Sequence, residues 1–437
     1  MKKTAVIGGG ISGIASAYYL NRQGIPVDLY EADLHPGGRI GSQCLDGRWL
    51  DFGGKNIGKR YRRFRGFIDS LGGMEFEYFG FNTSQLLDGR VVSINKESAG
   101  WFNILRFFQL CGVPGFLKLL PMAISIQKEH DQGFLNTPYF NAVAGRSDHD
   151  TLAAYFSERC ISHVIRPVTV RMNGAEPDEC YPGNFGSNLA LLLDSYEQLT
   201  ESMFGMIGRF VDASPLTRVL AGYRVTSLCR QAGSGTVTVD YESSGVPHQA
   251  EYERVVAALP AAQLWPLFGS DDAEAVRLLR QVLYFPVAVA VVKYRDRVFQ
   301  DDRRAMVFDR RFPLSNAGAY GIGDLDLVRY TFSGREARKV IMPATDPQDV
   351  IATGERIIKP YFAIDGNRRE SFLYRYLPVG LCAYSQYHSR LLAGLDRMFR
   401  PERGLVLTGD YWRGASIEAC FTAAFEAVEK LLNGESS

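Results

Sequence analysis

The residues best placed to do chemistry lie at the start of the chain. Gly8, Gly10 and Gly13 stand in a G-x-G-x-x-G pattern, with Ile11 and Ser12 between the last two, directly after the apolar run "TAVI". Glycines at this spacing let backbone approach a pyrophosphate, whose charge then rests on the N-terminus of the following helix. Glu31 closes the next apolar stretch, where a carboxylate accepts hydrogen bonds from a ribose diol and repels a 2′-phosphate. The pattern therefore points to NAD or FAD rather than NADP. Taken alone, the glycines also fit a tight turn without a ligand.

Positioning these residues needs a strand, a turn, a helix and a second strand. The apolar run ended by glycine predicts the first strand. Ile11, Ile14, Ala15, Tyr18 and Tyr19 recur at helical spacing, predicting a helix that ends near Gly24. "PVDLYE" alternates and predicts the second strand. At the far end, "LVLTGD" predicts a strand leading into Gly409 and Asp410. Ile417, Cys420, Phe421, Ala424, Phe425, Val428, Leu431 and Leu432 then predict a long amphipathic helix with Ser416 as its N-cap. Between the two ends, "YRVTSLCRQAGSGTVTVDY" predicts a hairpin turning at Gly233-Ser234-Gly235. "YERVVAALP" predicts a buried strand that stops at Pro260.

Beyond Glu31 come Gly37-Gly38-Arg39 and then Asp51-Phe52-Gly53-Gly54. An NAD-binding unit has no use for a second glycine pair and an arginine there. A longer, bent cofactor has: bare backbone lets it pass, and arginine offsets pyrophosphate charge. On Gly8, Gly10, Gly13, Glu31, Gly38, Arg39 and the Asp51–Gly54 block, the sequence resembles the flavin amine oxidase superfamily, which includes monoamine oxidases, protoporphyrinogen oxidases and phytoene-type desaturases. The resemblance implies FAD as cofactor. It also implies an α/β fold, with a discontinuous Rossmann-like FAD-binding domain and an inserted α+β substrate-binding domain. The implied FAD-binding segments are 1–75, 215–265 and 385–437, and the implied substrate segments are 76–214 and 266–384. Cofactor contacts are implied for Gly8, Gly10, Ile11, Ser12, Gly13, Glu31, Gly38, Arg39, Gly54, Lys55, Asn56 and Ile57. Val225 and Ala258 are implied beside the adenine. Gly409, Asp410, Ser416 and Ile417 complete the set, the last helix aiming its positive end at the flavin edge that gains negative charge on reduction. Residues 75–215 and 265–380 carry little of the resemblance.

Hydride transfer to a flavin asks the protein for orientation, dryness and field rather than a triad, and none is visible. Lys55, Lys293, Tyr384 and His388 are the candidate catalytic residues. Two departures bear on substrate. The tyrosine that monoamine oxidases place before the last helix is Ser416 here, and in "CAYSQYHSRL" Cys382 replaces a proline. Cys382 reads either as a covalent flavin anchor or as a buried free thiol. The expectation is an oxidase or desaturase that removes hydride from a C–C or C–N bond of a fairly apolar small molecule. An amine or amino-acid oxidase is the alternative, and a non-redox flavin-dependent mutase the second. No other G-x-G-x-x-G opens a helix, so a separate NAD(P)H domain is not expected, and the acceptor is O2 or a quinone-like carrier.

Composition narrows the class further. A formal net charge of +1 argues against a nucleic-acid partner. Seven scattered cysteines without a C-x-x-C pair suit reduced thiols in the cytoplasm. The six histidines are isolated, so no metal site is expected. The apolar run at the start breaks at Gly8, too early for a signal peptide. No uninterrupted run of about 18 apolar residues exists, so no membrane-spanning helix is expected. Residues 100–126 are nonetheless very apolar. They read as packed core helices, or as a surface for a lipophilic substrate or a peripheral membrane contact. "GKRYRRFRGF" reads as a solvated helix face or as an attractor for an anionic substrate.

Overall fold

The computed structural model describes residues 3–78, 82–87, 89–95, 100–231, 235–400 and 404–434, with the side chains of 82, 95 and 100–103 left aside. Ten strands carry the architecture: β1 Thr4–Ile7, β2 Val27–Glu31, β3 Thr217–Ala221, β4 Arg254–Ala257, β5 Tyr284–Tyr294, β6 Ala305–Val307, β7 Leu314–Ala319, β8 Leu327–Phe332, β9 Arg369–Cys382 and β10 Leu405–Leu407. Five helices matter for the site: α1 Ile11–Arg22, α2 Arg62–Ser70, α3 Gly100–Lys128, α4 Arg166–Asn173 and α5 Ile417–Asn433.

A parallel sheet in the order β3-β2-β1-β4-β10 gathers both ends of the chain and two short pieces from its middle. Every residue of β1 is buried, as expected for a central strand covered on both faces. On one face, Ile14, Ala15 and Leu20 of α1 pack with Phe421, Ala424 and Val428 of α5. On the other lies an antiparallel sheet, Tyr223–Arg230, Val237–Ser243 and Val246–Tyr252, whose Leu228, Val237, Val239 and Tyr252 pack with Ala5, Ile7 and Tyr30. The strands flanking the expected Gly233-Ser234-Gly235 turn pair in register, Arg230 opposite Val237. Gly233 and Ser234 lie outside the described residues.

The second large sheet is antiparallel, in the order β6-β7-β8-β5-β9. The period of two divides β5 cleanly. Ala288, Ala290, Val292 and Tyr294 pack with Ile351 and Ile358 of the helix Pro347–Ile358. Val287 and Val289 turn the other way onto Phe52, and Val291 onto Leu50 and Tyr320. This second face looks towards the glycine-rich N-terminal unit.

The helical region beyond residue 100 has its own core. In α3, Leu110, Cys111, Leu119, Met122 and Ile126 are buried, while Ile104, Leu117, Val113 and Leu105 are half or more exposed (63%, 62%, 54% and 50%). Contrary to the expectation from run length, Ile104–Lys128 is long and apolar enough by length and composition to cross a membrane. Isolated polar residues break the run in sequence without breaking the helical face. The helix kinks at Gly112, whose φ of 66° is left-handed and precedes Pro114.

Candidate functional site

The glycine loop is built by close backbone approach. A Cβ at Gly13 would sit 1.8 Å from the Gly8 carbonyl oxygen, and Gly8 itself has φ of 99°. A Cβ at Gly10 would meet nothing within 4 Å, so the space before the α1 N-terminus is open. The Glu31 carboxylate accepts from the Gly9 N–H (3.0 Å) and the Asp33 N–H (2.9 Å). Burial pushes its pKa up. Ala258 donates to the Ile7 carbonyl, and its own carbonyl lies against Gly8. Val225 packs into the cluster around Tyr30, so the segments that follow β3 and β4 border the same sheet end.

The second glycine pair packs on the first. The Gly37 N–H donates to the Gly9 carbonyl (2.9 Å), and Gly37 pairs with Gly10 as an isolated parallel bridge. Next to it, Arg39 donates to Asp410 (2.5 Å), whose other oxygen accepts from the Tyr284 hydroxyl (2.7 Å). Asp410 is almost fully buried, and Arg39 keeps 31% of its side-chain surface open. Ile417, at the start of α5, comes within 3.7 Å of a Cβ placed at Gly54. The Cys420 thiol interacts with Ser12 of α1. Ser416 caps α5 by accepting from the Ala419 N–H (3.1 Å). Segments from opposite ends of the chain thus enclose one site.

Lys55 is 4% exposed. Its ammonium donates to Gln198 Oε1 and the Tyr320 carbonyl, both at 2.6 Å, and lies 4.6 Å from the Tyr320 ring centre. Burial, aided by repulsion from Arg329, lowers its pKa to about 7. Beside it, Ile57 is fully buried and pairs with Glu197, while among the described residues Asn56 Oδ1 is buried without a partner.

The sequence pattern of flavin-containing amine oxidoreductases matches residues 11–432. The chain belongs to this family. Protoporphyrinogen oxidase 2 of Arabidopsis thaliana is 24% identical over 190 residues, 40% of this chain and 34% of that protein. The alignment thus spans about a third of that relative's length. Protoporphyrinogen oxidase of Dictyostelium discoideum is 23% identical over 366 residues, 68% of this chain and 67% of the other. Cyclohexylamine oxidase from Brevibacterium oxydans IH-35A superposes with a TM-score of 0.76 at 16% identity, covering 100% of both chains. At that identity the superposition speaks for the fold alone.

The residues present fit FAD, the cofactor of this family. The open cradle at Gly10 precedes a helix N-terminus, as a pyrophosphate requires. Among the described residues, the buried Asn56 Oδ1 and Thr408 Oγ1 find no protein partner, and both belong to segments that bound the site. Such atoms are costly to leave unpaired.

Two candidate catalytic residues change meaning. Lys293 lies in β5 four residues beyond Val289, which packs on Phe52; at a strand's rise that is about 13 Å further along. Its ammonium is half-exposed and bound to Asp326 at 2.6 Å. Lys293 is therefore a structural ion pair. His388 is buried, its Nε2 hydrogen-bonded to the Tyr411 carbonyl (2.7 Å) and its Nδ1 facing Ser385. Burial lowers its pKa to about 4, so near neutral pH the imidazole is uncharged and both of its nitrogens are held by hydrogen bonds. Tyr384 is buried at φ of 59°, its ring 5.4 Å from that of His388. The Cys382 thiol is wholly buried, and burial together with Asp410 pushes its pKa well above the thiol range. That environment keeps it protonated, as suits a packed thiol better than a nucleophilic anchor. The basic stretch is not simply solvated either: Lys59 and Arg65 pair with Glu197, and Arg63 lies over Phe425.

Sequence reasoning missed Arg329, Tyr284, Gln198 and Tyr320. A signal existed for the arginine: it is the one charged residue in an otherwise uncharged stretch, "LVRYTF".

Proposed function

We propose that this flavin oxidoreductase is an oxidase or desaturase that takes hydride from a C–C or C–N bond of a fairly apolar small molecule, returning electrons to O2 or a quinone-like carrier, in the cytoplasm. One observation carries the reading. The sheet face opposite the Gly53–Gly54 turn carries an apolar patch, Val287, Val289, Leu373 and Leu377 around Phe52, flanked by Arg329 and Arg375. Asp51, the carboxylate nearest that turn in sequence, already accepts from Ser42 and the Met203 N–H. Such a wall orients an uncharged reacting bond and excludes water. FAD bound in the cradle supplies the hydride acceptor at N5. In this reading Glu31 holds the ribose, Gly8, Gly10, Gly13 and Gly38 leave room for the pyrophosphate, and Arg39 with Asp410 orders the chain beyond it. Val225 and Ala258 flank the adenine. The Ser416-capped start of α5 offers free N–H groups to negative charge. The relatives named protoporphyrinogen oxidases support the desaturase side of the reading. The test is an anaerobic flavin-bleaching screen of the FAD-loaded protein across amines, amino acids, polyenes and tetrapyrroles. Bleaching by simple amines alone would overturn the preference.

The same reading places the protein at a lipid surface through α3. The outer face of that helix is apolar, and residues 100–128 carry Arg106, Lys118 and Lys128 but no acidic residue. This composition suits an anionic bilayer surface. Flotation with phosphatidylglycerol vesicles should recover the wild type and lose Leu117→Glu; equal recovery would refute the contact.

A further inference from the structure

We propose that Tyr284 is a cofactor-positioning residue: its hydroxyl fixes the Asp410 carboxylate, and through it the Arg39 guanidinium, so that the remaining Arg39 donors meet the FAD pyrophosphate. The inference rests on FAD filling the glycine cradle, and it adds a residue of the substrate sheet to the set that holds the cofactor.

Tyr284 opens β5, the strand by which the chain enters the antiparallel sheet, and pairs there with Cys382, the last residue of β9. Its hydroxyl nevertheless reaches into the cofactor half. It accepts from the Ala261 N–H beyond β4 (3.2 Å) and donates to Asp410 Oδ1 beyond β10 (2.7 Å). The Cys382 thiol also faces it. Burial, with Asp410 beside it, holds the phenol pKa well above its ordinary value, so the group remains a donor at neutral pH.

Asp410 passes this constraint on. Its Oδ2 accepts from Arg39 Nη1 (2.5 Å), which also reaches the Gly380 carbonyl (3.4 Å), and the guanidinium lies 5.8 Å from the Tyr284 ring centre. Arg39 is thus held on one side by Asp410 and Tyr284. Among the described residues its Nε and Nη2 make no hydrogen bond, and 31% of the side chain stays open. The place is the rim of the cradle. Arg39 follows Gly38, where an added Cβ would lie 3.4 Å from Gly10 Cα. Cys420, whose thiol interacts with Ser12 in the first turn of α1, feels both Asp410 and Arg39.

A carboxylate beside a pyrophosphate repels it unless a cation neutralises the carboxylate. Arg39 does so, and its charge is then shared with Asp410, which leaves directed N–H groups to make the contact. Charge-assisted hydrogen bonds from a guanidinium depend on how its planar fork is oriented. A long side chain that must be ordered at binding loses affinity, and one ordered beforehand does not. Tyr284 provides that order, because a carboxylate with one oxygen anchored cannot swing the other away from Arg39.

The test is calorimetric titration of the FAD-free full chain with FAD. Tyr284→Phe keeps the ring and should weaken FAD binding about 10-fold, the lower end of what a hydrogen bond to a charged group contributes. In an Arg39→Gln background the same substitution should change affinity by less than about 2-fold, the scatter of independent substitutions. Tyr284→p-aminophenylalanine keeps both the ring and a donor. It should bind FAD as the wild type does, and it covers the case in which the phenylalanine variant fails to fold. An unchanged affinity in Tyr284→Phe, an equal loss in both backgrounds (the mark of a merely structural hydroxyl), or weakened binding by the p-aminophenylalanine variant would overturn the proposal. A wild type that takes up no FAD would refute the cofactor reading and the proposal with it, whereas normal wild-type uptake beside any of those three results overturns the role of Tyr284 alone.

Discussion

Replacing Lys55 with methionine should change how stability depends on pH. An ordinary lysine titrates at 10.5, and Lys55 is pulled down to about 7, chiefly by burial. That difference corresponds to about 5 kcal/mol against the charged form. The two acceptors at 2.6 Å and the Tyr320 ring favour the charge, so this figure is a ceiling. The sign follows from proton binding. Between pH 7 and 10.5 the unfolded chain holds a proton that the folded chain has released, so stability rises with pH through that window. Below pH 7 the full penalty is present. From pH 6 to pH 9 the wild type should therefore gain about 2.5 kcal/mol relative to Lys55→Met, which has nothing to titrate there. The variant also strands Gln198 Oε1 and the Tyr320 carbonyl, a pH-independent loss of about 1–3 kcal/mol each. Urea unfolding of both FAD-loaded proteins across this range, followed by intrinsic fluorescence, separates the two effects. A wild-type-minus-variant difference that does not move with pH would refute the reasoning.

Four further outcomes follow from the geometry. Gly13→Ala should abolish FAD retention or folding, because its Cβ collides with the Gly8 carbonyl. Gly66→Ala, in the exposed middle of α2 with nothing within 4 Å, should stabilise by about 0.5–1 kcal/mol in the same denaturation assay. Glu31→Ala should lower flavin occupancy after dialysis and also destabilise the FAD-free protein by about 1–3 kcal/mol, since the carboxylate holds the Gly9 and Asp33 N–H groups. Unchanged occupancy would remove the ribose assignment. His388, with a pKa lowered to about 4 from 6.5, makes the unfolded chain bind more protons between those values, so stability should rise with pH across that interval. In His388→Gln thermal melts should show a flatter rise there, and activity profiles near neutral pH should be unaffected by the loss of a titrating imidazole.

Periodicity and glycine spacing are local properties, and they made the cofactor half of the protein legible. The strand–turn–helix–strand unit around Gly8, Gly10 and Gly13, and the capped helix from Ile417, require only contacts between near neighbours in sequence. The substrate half was opaque, because its chemistry depends on which side chains an antiparallel sheet turns inward. A register of two decides that Val289 and Arg375 share a face with Arg329 while Tyr294 does not. The same register leaves Lys293 with Asp326, beyond Phe52. His388 was misread for a related reason: an imidazole's role depends on what its two nitrogens meet, and Tyr411 and Ser385 take both. The amino-acid order alone determined that a dinucleotide-type cofactor has a place here, since close backbone approach can be written only with glycine at particular spacings. Tertiary structure alone decided the state of the interior charges, because Lys55 meets Gln198 and Tyr320, and Arg329 the Phe52 carbonyl, only when segments distant in sequence exclude water around them.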